Sequence, residues 1–190
     1  MMTRTKLLTA AIASVAWMAL PVAAPGQEED VFAFIPDGGR TLLEAAREAG
    51  LPAGLESAIA EGDGDPAAWR GRIEAAQADA PAAVADLDSW QVDTLAHYLA
   101  ANAPMDPGSE LPWDGRDMAL KMCQSCHIIT VVITQDRTRE AWLGTMHKPS
   151  HIEIDMTEPE REALADYLVI NAGIPIDLVP PALRAGGASY

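Results

Sequence analysis

Both cysteines of the 190-residue chain lie in the stretch MALKMCQSCH, residues 118–127. A helix-like run precedes them, whereas a thioredoxin-like redox pair follows a strand and opens a helix. A zinc site would need a second pair of ligands at standard spacing. A disulfide across two intervening residues would be strained and would close almost no loop. A redox pair, a zinc site and a structural disulfide therefore each explain the two cysteines poorly.

The spacing Cys-x-x-Cys-His is typical of sites that attach haem c covalently. Cys123 and Cys126 lie about one helical turn apart, so each thiol can bond one vinyl edge of the same porphyrin. The next side chain, His127, is then available to ligate the iron. The sequence therefore predicts one covalently bound haem c.

Two segments carry the same helix pattern. The second starts with the capping box Thr157-x-x-Glu160 and stops at Gly173, and the first runs from Asp88 to Ala103. At an offset of 69 the matches are Leu95/Leu164, Ala96/Ala165, Tyr98/Tyr167, Leu99/Leu168, Asn102/Asn171 and Ala103/Ala172. Upstream, Ala68-Trp69 matches Ala141-Trp142 at an offset of 73, and Gly39-Arg40 matches Gly115-Arg116 at an offset of 76. We infer an internal duplication, with two generic amphipathic helices as the alternative.

The duplication predicts an all-α chain with two tandem helical domains. In the alignment, Arg47, Gly50 and Leu51 stand where the second copy has its cysteines and histidine, so the first copy cannot hold haem. The predicted boundaries are a signal peptide (1–26), a haemless domain (30–104), a linker (105–113), a haem domain (114–175) and an extended tail (176–190).

Residues 107–175 resemble a class I c-type cytochrome, with the attachment motif first and a capped Tyr-Leu helix last. The run Arg139-x-x-Trp142-x-x-x-Met146, followed by Glu160-x-x-x-Leu164-x-x-Tyr167-Leu168, is similar to small cytochrome subunits or domains of periplasmic dehydrogenases. Sulfite dehydrogenase and quinohaemoprotein amine dehydrogenase are examples. The resemblance implies a degenerate cytochrome c-like first domain and haem attachment outside the cytoplasm.

The second axial ligand in electron-transfer cytochromes is usually methionine, whose soft sulfur favours ferrous iron. The resemblance implies a methionine on a loop several residues before the last helix, which Met146 satisfies. Met146 also aligns with Ile73 of the haemless copy, whereas Met156 aligns with Leu87 and is expected in the core. We expect Met146 to be the ligand, with Met156 or a histidine as alternatives.

Trp142 and Arg139 are further candidates for the haem pocket. Trp142 could pack on the haem edge, and Arg139 or Arg137 could pair with a haem propionate. The alternatives are core packing for the tryptophan, because Trp69 matches it, and exposed charge for the arginines.

The first residues predict export. Arg4 and Lys6 precede an apolar run from Leu7 to Leu20 and a small-residue segment, the pattern of a secretory signal peptide. The apolar run is shorter than the roughly 20 residues that span a bilayer. We therefore expect a periplasmic protein without a stable membrane anchor.

The charge balance restricts the partners. Asp and Glu number 28 against 13 Lys and Arg, a formal net charge of −15. This charge repels phosphate backbones and argues against nucleic-acid binding as the function. It favours a redox partner, a periplasmic dehydrogenase or oxidase, with a basic docking surface and salt-sensitive association.

Together these features predict an electron-transfer protein rather than an enzyme, with no catalytic residue of its own. It would pass single electrons between a dehydrogenase and a downstream acceptor, as a free carrier or as a dedicated subunit. The alternative is a haem enzyme or sensor, peroxidase-like or ligand-binding, with an open or labile sixth position. His147 and His151 would then be candidates to assist chemistry at the iron.

Overall fold

Helices form all the regular secondary structure of residues 30–184, the part of the chain that the computed structural model describes. The all-α prediction is confirmed for this range. The predicted signal peptide, residues 1–26, and the last part of the predicted tail, residues 185–190, lie outside the described residues. No helix between residues 30 and 184 combines the length and apolar character needed to cross a bilayer.

The first half contains α1 (Gly39–Ala49), α2 (Ala53–Glu61), α3 (Pro66–Gln77), α4 (Ala82–Ala85) and α5 (Ser89–Asn102). Local signals set their ends. The Asp65 side chain caps α3, and Asp88 with Gln91 forms a capping box at α5. Gly50 ends α1 with a φ of 94°, in the left-handed region that glycine adopts without strain.

The second half contains α6 (Gly115–Met118), a π-helical turn (Ala119–Cys123), α7 (Thr130–Ile133), α8 (Arg139–Met146) and α9 (Glu158–Asn171). Thr138 caps α8 by accepting a hydrogen bond from the Ala141 amide. Thr157 and Glu160 form the predicted capping box of α9. The helix-like run before the cysteines is thus part α-helix and part π-helix.

The described part of the tail contains short turns where the sequence predicts an extended chain. Two single 3₁₀ turns, Ile176–Leu178 and Pro181–Leu183, each follow a proline whose fixed φ suits the start of a turn. Val179 between them is buried. Thr130 Oγ1 donates to the Leu183 carbonyl at 2.9 Å, so the tail packs against the second half.

Corresponding helices of the two halves start at the same offsets as the sequence matches. α1 and α6 begin 76 residues apart, α3 and α8 begin 73 apart, and α5 and α9 begin 69 apart. Both α5 and α9 have 14 residues and end at an asparagine. Because the offset falls along the chain, the second half is the shorter one.

Each half has its own cluster of buried apolar residues. The first includes Leu42, Leu43, Leu55, Ile59, Trp69, Ile73, Leu95 and Leu99. The second includes Met118, Ile129, Ile133, Trp142, Met146, Leu164 and Leu168. Residues 105–113, predicted as a linker, pack partly against the first half. Apolar Met105 and Leu111 are buried in its cluster.

Contacts between the halves are reciprocal. Tyr98 Oη donates to the Pro112 carbonyl at 2.9 Å, and Tyr167 Oη donates to the Pro36 carbonyl at 2.6 Å. These pairs correspond in the two halves, since the tyrosines match at an offset of 69 and the prolines at 76. Helices α5 and α9 pack together at the boundary, in the manner of a self-complementary interface.

Candidate functional site

A cavity of about 290 Å³ lies beside the Cys-x-x-Cys-His motif in the second half. Its volume is near the lower end of the range for small-molecule and cofactor sites. Most of its wall is apolar, and it is built by α7, α8 and α9 together with the cysteine motif and the loops between these helices. The lining includes Cys123, Cys126, His127, Val131, Val132, Trp142, Met146, His151, Ile154, Met156, Leu164 and Leu168.

The π-helical turn ends at the motif and places its residues in one tight turn. The Gln124 amide donates to the Ala119 carbonyl at 3.3 Å, an i to i+5 hydrogen bond. The Cys126 and His127 amides both donate to the Cys123 carbonyl, at 3.2 and 2.9 Å. The two thiols and the imidazole therefore reach the same cavity from a single backbone loop.

The two thiols differ in exposure, because Cys123 is half-buried and Cys126 is exposed. Burial, with a smaller contribution from Cys126, raises the pKa of the Cys123 thiol to about 11. The His127 ring stacks on that of His151, with centroids 6.1 Å apart and the planes inclined by 25°. His151 thus belongs to the cavity wall rather than to a fully solvated loop.

Both candidate methionines line the cavity. Met146 ends α8 and is 8% exposed, while Met156 precedes the cap of α9 and is half-buried. The structure therefore brings each of them together with the motif. His147 is exposed and is not among the lining residues, and its Nε2 lies 3.0 Å from Glu158 Oε2.

Trp142 lines the cavity as the sequence predicts, but Arg139 does not. Arg139 Nε donates to Asp166 Oδ1 at 2.5 Å, and this carboxylate holds the guanidinium outside the cavity wall. Arg137 is the arginine that lines the cavity beside Trp142. Its guanidinium lies 5.1 Å from the Trp142 ring centroid, and its Nη1 donates to Thr145 Oγ1 at 2.8 Å.

Sequence analysis missed Arg161, a buried residue of α9 that also lines the cavity. Its guanidinium donates to the carbonyls of Met146 and Ile154, each at 2.9 Å. The alignment carries a signal for it, because the matching position in the first copy is Val92, which is buried and apolar. Charged residues are rarely buried without a partner, so a charge at a position that is apolar in the other copy indicates a specialised site.

The donor set of this cavity fits haem c. Two thiols, an imidazole and two thioethers meet at one apolar cavity, which is the chemistry that covalent attachment and axial ligation require. Within residues 30–184 no group of three or more His, Cys, Asp or Glu side chains is arranged to hold a bare metal ion.

No protein-family model, curated protein or solved structure matches the chain significantly.

Proposed function

We propose that this chain is a c-type cytochrome that transfers single electrons between a dehydrogenase and a downstream acceptor. The observation that carries the proposal is the cavity in which Cys123, Cys126 and His127 face Met146 and Met156 across apolar walls. That combination of side chains is the one by which proteins attach haem c and ligate its iron.

Each residue of the cavity has a defined task in this proposal. Cys123 and Cys126 would hold the porphyrin, each through a thioether that the addition of its S–H group across one vinyl double bond would give without loss of an atom. The His127 imidazole and the Met146 sulfur would ligate the iron, with Met156 as the alternative sulfur. When bound, haem c supplies a reversible one-electron change at iron.

The apolar wall would keep water from the metal. Val132, Leu164 and Leu168 are buried and line the cavity, so the environment of the iron has a low dielectric constant. Such surroundings, together with a sulfur ligand, raise the reduction potential relative to a water-exposed site. The protein therefore contributes ligation, exclusion of water and a fixed pocket, while no substrate bond changes.

The proposal includes a duplicated architecture, in which residues 30–104 are a haemless cytochrome c-like domain and residues 114–175 carry the haem. Its support is the common helix order, the shared offsets and the reciprocal tyrosine contacts. In the first half, Ile73 stands at the position of Met146 and is fully buried. A haemless domain that keeps its fold would serve as a packing or interaction surface.

The proposed setting is the periplasm, with a dehydrogenase or an oxidase as partner. Covalent haem attachment occurs outside the cytoplasm in c-type cytochromes, which agrees with the predicted signal peptide. The net charge of −15 favours a basic docking surface on the partner. Co-purification with a larger catalytic chain would distinguish a dedicated subunit from a free carrier.

The decisive experiment is a visible spectrum of the full chain, matured with the c-type haem machinery and calibrated to haem per chain. We expect one covalent low-spin haem with the ferric sulfur-to-iron charge-transfer band. The band should be lost in Met146→Leu and kept in Met156→Leu, and Cys123→Ser with Cys126→Ser should contain no covalent haem. A wild-type chain without covalent haem would contradict the proposal, and a high-spin spectrum that changes with peroxide would favour a haem enzyme or sensor.

A further inference from the structure

The end of α8 and the loop between α8 and α9 accept hydrogen bonds from one buried side chain of α9, that of Arg161. Arg161 is 4% exposed, and its Nη1 donates to the Met146 carbonyl at 2.9 Å. Its Nη2 donates to the Ile154 carbonyl at 2.9 Å and to the Ile152 carbonyl at 3.4 Å. The guanidinium therefore joins the end of α8 to the far part of the loop, and these are the segments that carry both candidate sulfur ligands.

Burial of a guanidinium is costly unless its N–H groups are satisfied. Here the acceptors are main-chain carbonyls, and a planar fork can hold several of them at once in fixed geometry. Hydrogen bonds from a charged donor are stronger than those between neutral groups. The arrangement therefore restricts the loop more firmly than a neutral side chain would.

The first half holds its corresponding loop differently. Gln77 Nε2 donates to the carbonyls of Val84 and Leu87, at 3.2 and 3.0 Å, so a neutral amide of α3 serves there. The position that matches Arg161 is occupied by Val92, which is 3% exposed. The buried cation thus occurs in the half with the cavity and is replaced by an apolar residue in the half without it.

We propose that Arg161 is a positioning residue for the sulfur ligand. By holding the carbonyls of Met146 and Ile154, it keeps the methionine at the cavity wall and prevents the loop from swinging outward. This inference rests on the proposed function, because it concerns the sixth ligand of the haem. Arg161 acts through the loop backbone and is not itself a ligand.

The test compares Arg161→Val, which introduces the first-half residue, and Arg161→Lys with the wild-type full chain. Arg72→Val is the matched control, because Arg72 Nη1 donates to a main-chain carbonyl, that of Asp63, in the first half. One measurement needs no haem: amide hydrogen exchange of residues 147–156. The others are haem per chain, the ferric charge-transfer band and the affinity of the ferric protein for imidazole.

In Arg161→Val we expect faster exchange in residues 147–156, covalent haem still near one per chain and a weakened charge-transfer band. Loss of one charge-assisted hydrogen bond corresponds to about tenfold in an equilibrium, so imidazole should bind about tenfold more tightly or better. Arg161→Lys, which keeps the charge but not the fork, should be intermediate. Arg72→Val should match the wild type in all four measurements.

An Arg161→Val protein with wild-type exchange, band and imidazole affinity would overturn the inference and leave the proposed function intact. A wild-type chain without covalent haem would overturn the proposed function and the inference with it. If Arg161→Val does not accumulate, Arg161→Lys decides alone, because an unchanged band and imidazole affinity in that variant would contradict a role for the guanidinium fork.

Discussion

The two halves of the chain share a helical framework but differ in the lengths of the helices around the tryptophans Trp69 and Trp142. In the first half α2 has 9 residues and α3 has 12, whereas α7 and α8 have 4 and 8. In the first half Leu55 and Ile59 of α2 are buried against the core. In the second half the shorter helices leave the cavity beside the cysteine motif.

The positions of the motif show the same contrast. Arg47, which matches Cys123, forms an ion pair with Glu56 of α2, with Arg47 Nη2 and Glu56 Oε1 3.0 Å apart. The half without cysteines thus completes its core with protein side chains. The comparison shows that one helical framework can enclose a filled core in the first half and a cavity in the second.

The largest expected effect tests whether the two cores are equally filled. Leu95 and Leu164 occupy matching positions and are each 1% exposed, but Leu164 lines the cavity. In a haem-free background we expect Leu95→Ala to lower the free energy of unfolding by about 3 kcal/mol. Leu164→Ala should cost about 1 kcal/mol less, because a side chain beside a cavity has fewer contacts to lose.

Urea denaturation of both variants in the Cys123→Ser, Cys126→Ser background measures this difference. Equal losses would show that the second core is closed without haem, and the contrast between the halves would then be wrong. Maturation with haem in the cysteine-containing chain should increase the cost of Leu164→Ala and leave that of Leu95→Ala unchanged.

A smaller effect tests the framework that the halves share. A Cβ at Gly39 would lie 2.2 Å from the Cβ of Tyr98, and one at Gly115 would lie 2.1 Å from the Cβ of Tyr167. Such distances force the helices apart, so we expect Gly39→Ala and Gly115→Ala each to lower the free energy of unfolding by about 2 kcal/mol. Thermal and urea denaturation measure both.

Gly71→Ala and Gly144→Ala are the controls, since these helical glycines also match at an offset of 73 and a Cβ there meets nothing within 4 Å. Each should raise stability by about 0.5 kcal/mol, because alanine favours a helix over glycine. A loss in Gly39→Ala without one in Gly115→Ala would mean that the two helix crossings are not equivalent.

Much of this framework could be predicted because its signals are local. The capping box of Thr157 and Glu160 involves residues close in sequence, and each Tyr-Leu helix follows a periodic pattern within one segment. The structure has both helices at those positions. The Cys-x-x-Cys-His motif is local in the same sense, because its three side chains lie within five consecutive residues. Trp142 and Met146, the candidates for the haem pocket, line the cavity, and so does Met156, for which the alignment with Leu87 predicts a place in the core.

The remaining features depend on partners that are distant in sequence or on subtle backbone geometry. Arg139 lies outside the cavity wall because its partner, Asp166, is on another helix. Arg161 was missed because its acceptors are carbonyls, which leave no pattern of side chains. The π-helical turn that ends at Cys123 has hydrogen bonds from residue i to residue i+5, where an α-helix has them from i to i+4. The spacing of apolar residues over five positions does not distinguish the two.

The smallest effect concerns the boundary between the halves, where the matching residues His97 and Asp166 face each other. Asp166 Oδ2 lies 3.8 Å from His97 Nδ1, and Arg139 donates to Oδ1. Burial alone would raise the pKa of Asp166, but the neighbouring His97 ring and the hydrogen bond from Arg139 outweigh burial and hold that pKa below its ordinary value. The ionised carboxylate therefore stabilises the boundary.

A carboxyl group with a lowered pKa in the folded state contributes stability above its unfolded pKa, and this contribution is lost as the pH falls below about 4. Because the side chains are partly exposed, we expect Asp166→Asn to cost only about 0.5 kcal/mol at pH 7. The difference from wild type should be smaller at pH 3 than at pH 7, as measured by urea denaturation across this range. Glu153→Gln, at an exposed loop position, should show no such pH dependence. A loss in Asp166→Asn that is equal at both pH values would assign the effect to packing, and the boundary would then be held by apolar contacts and the reciprocal tyrosines rather than by charge.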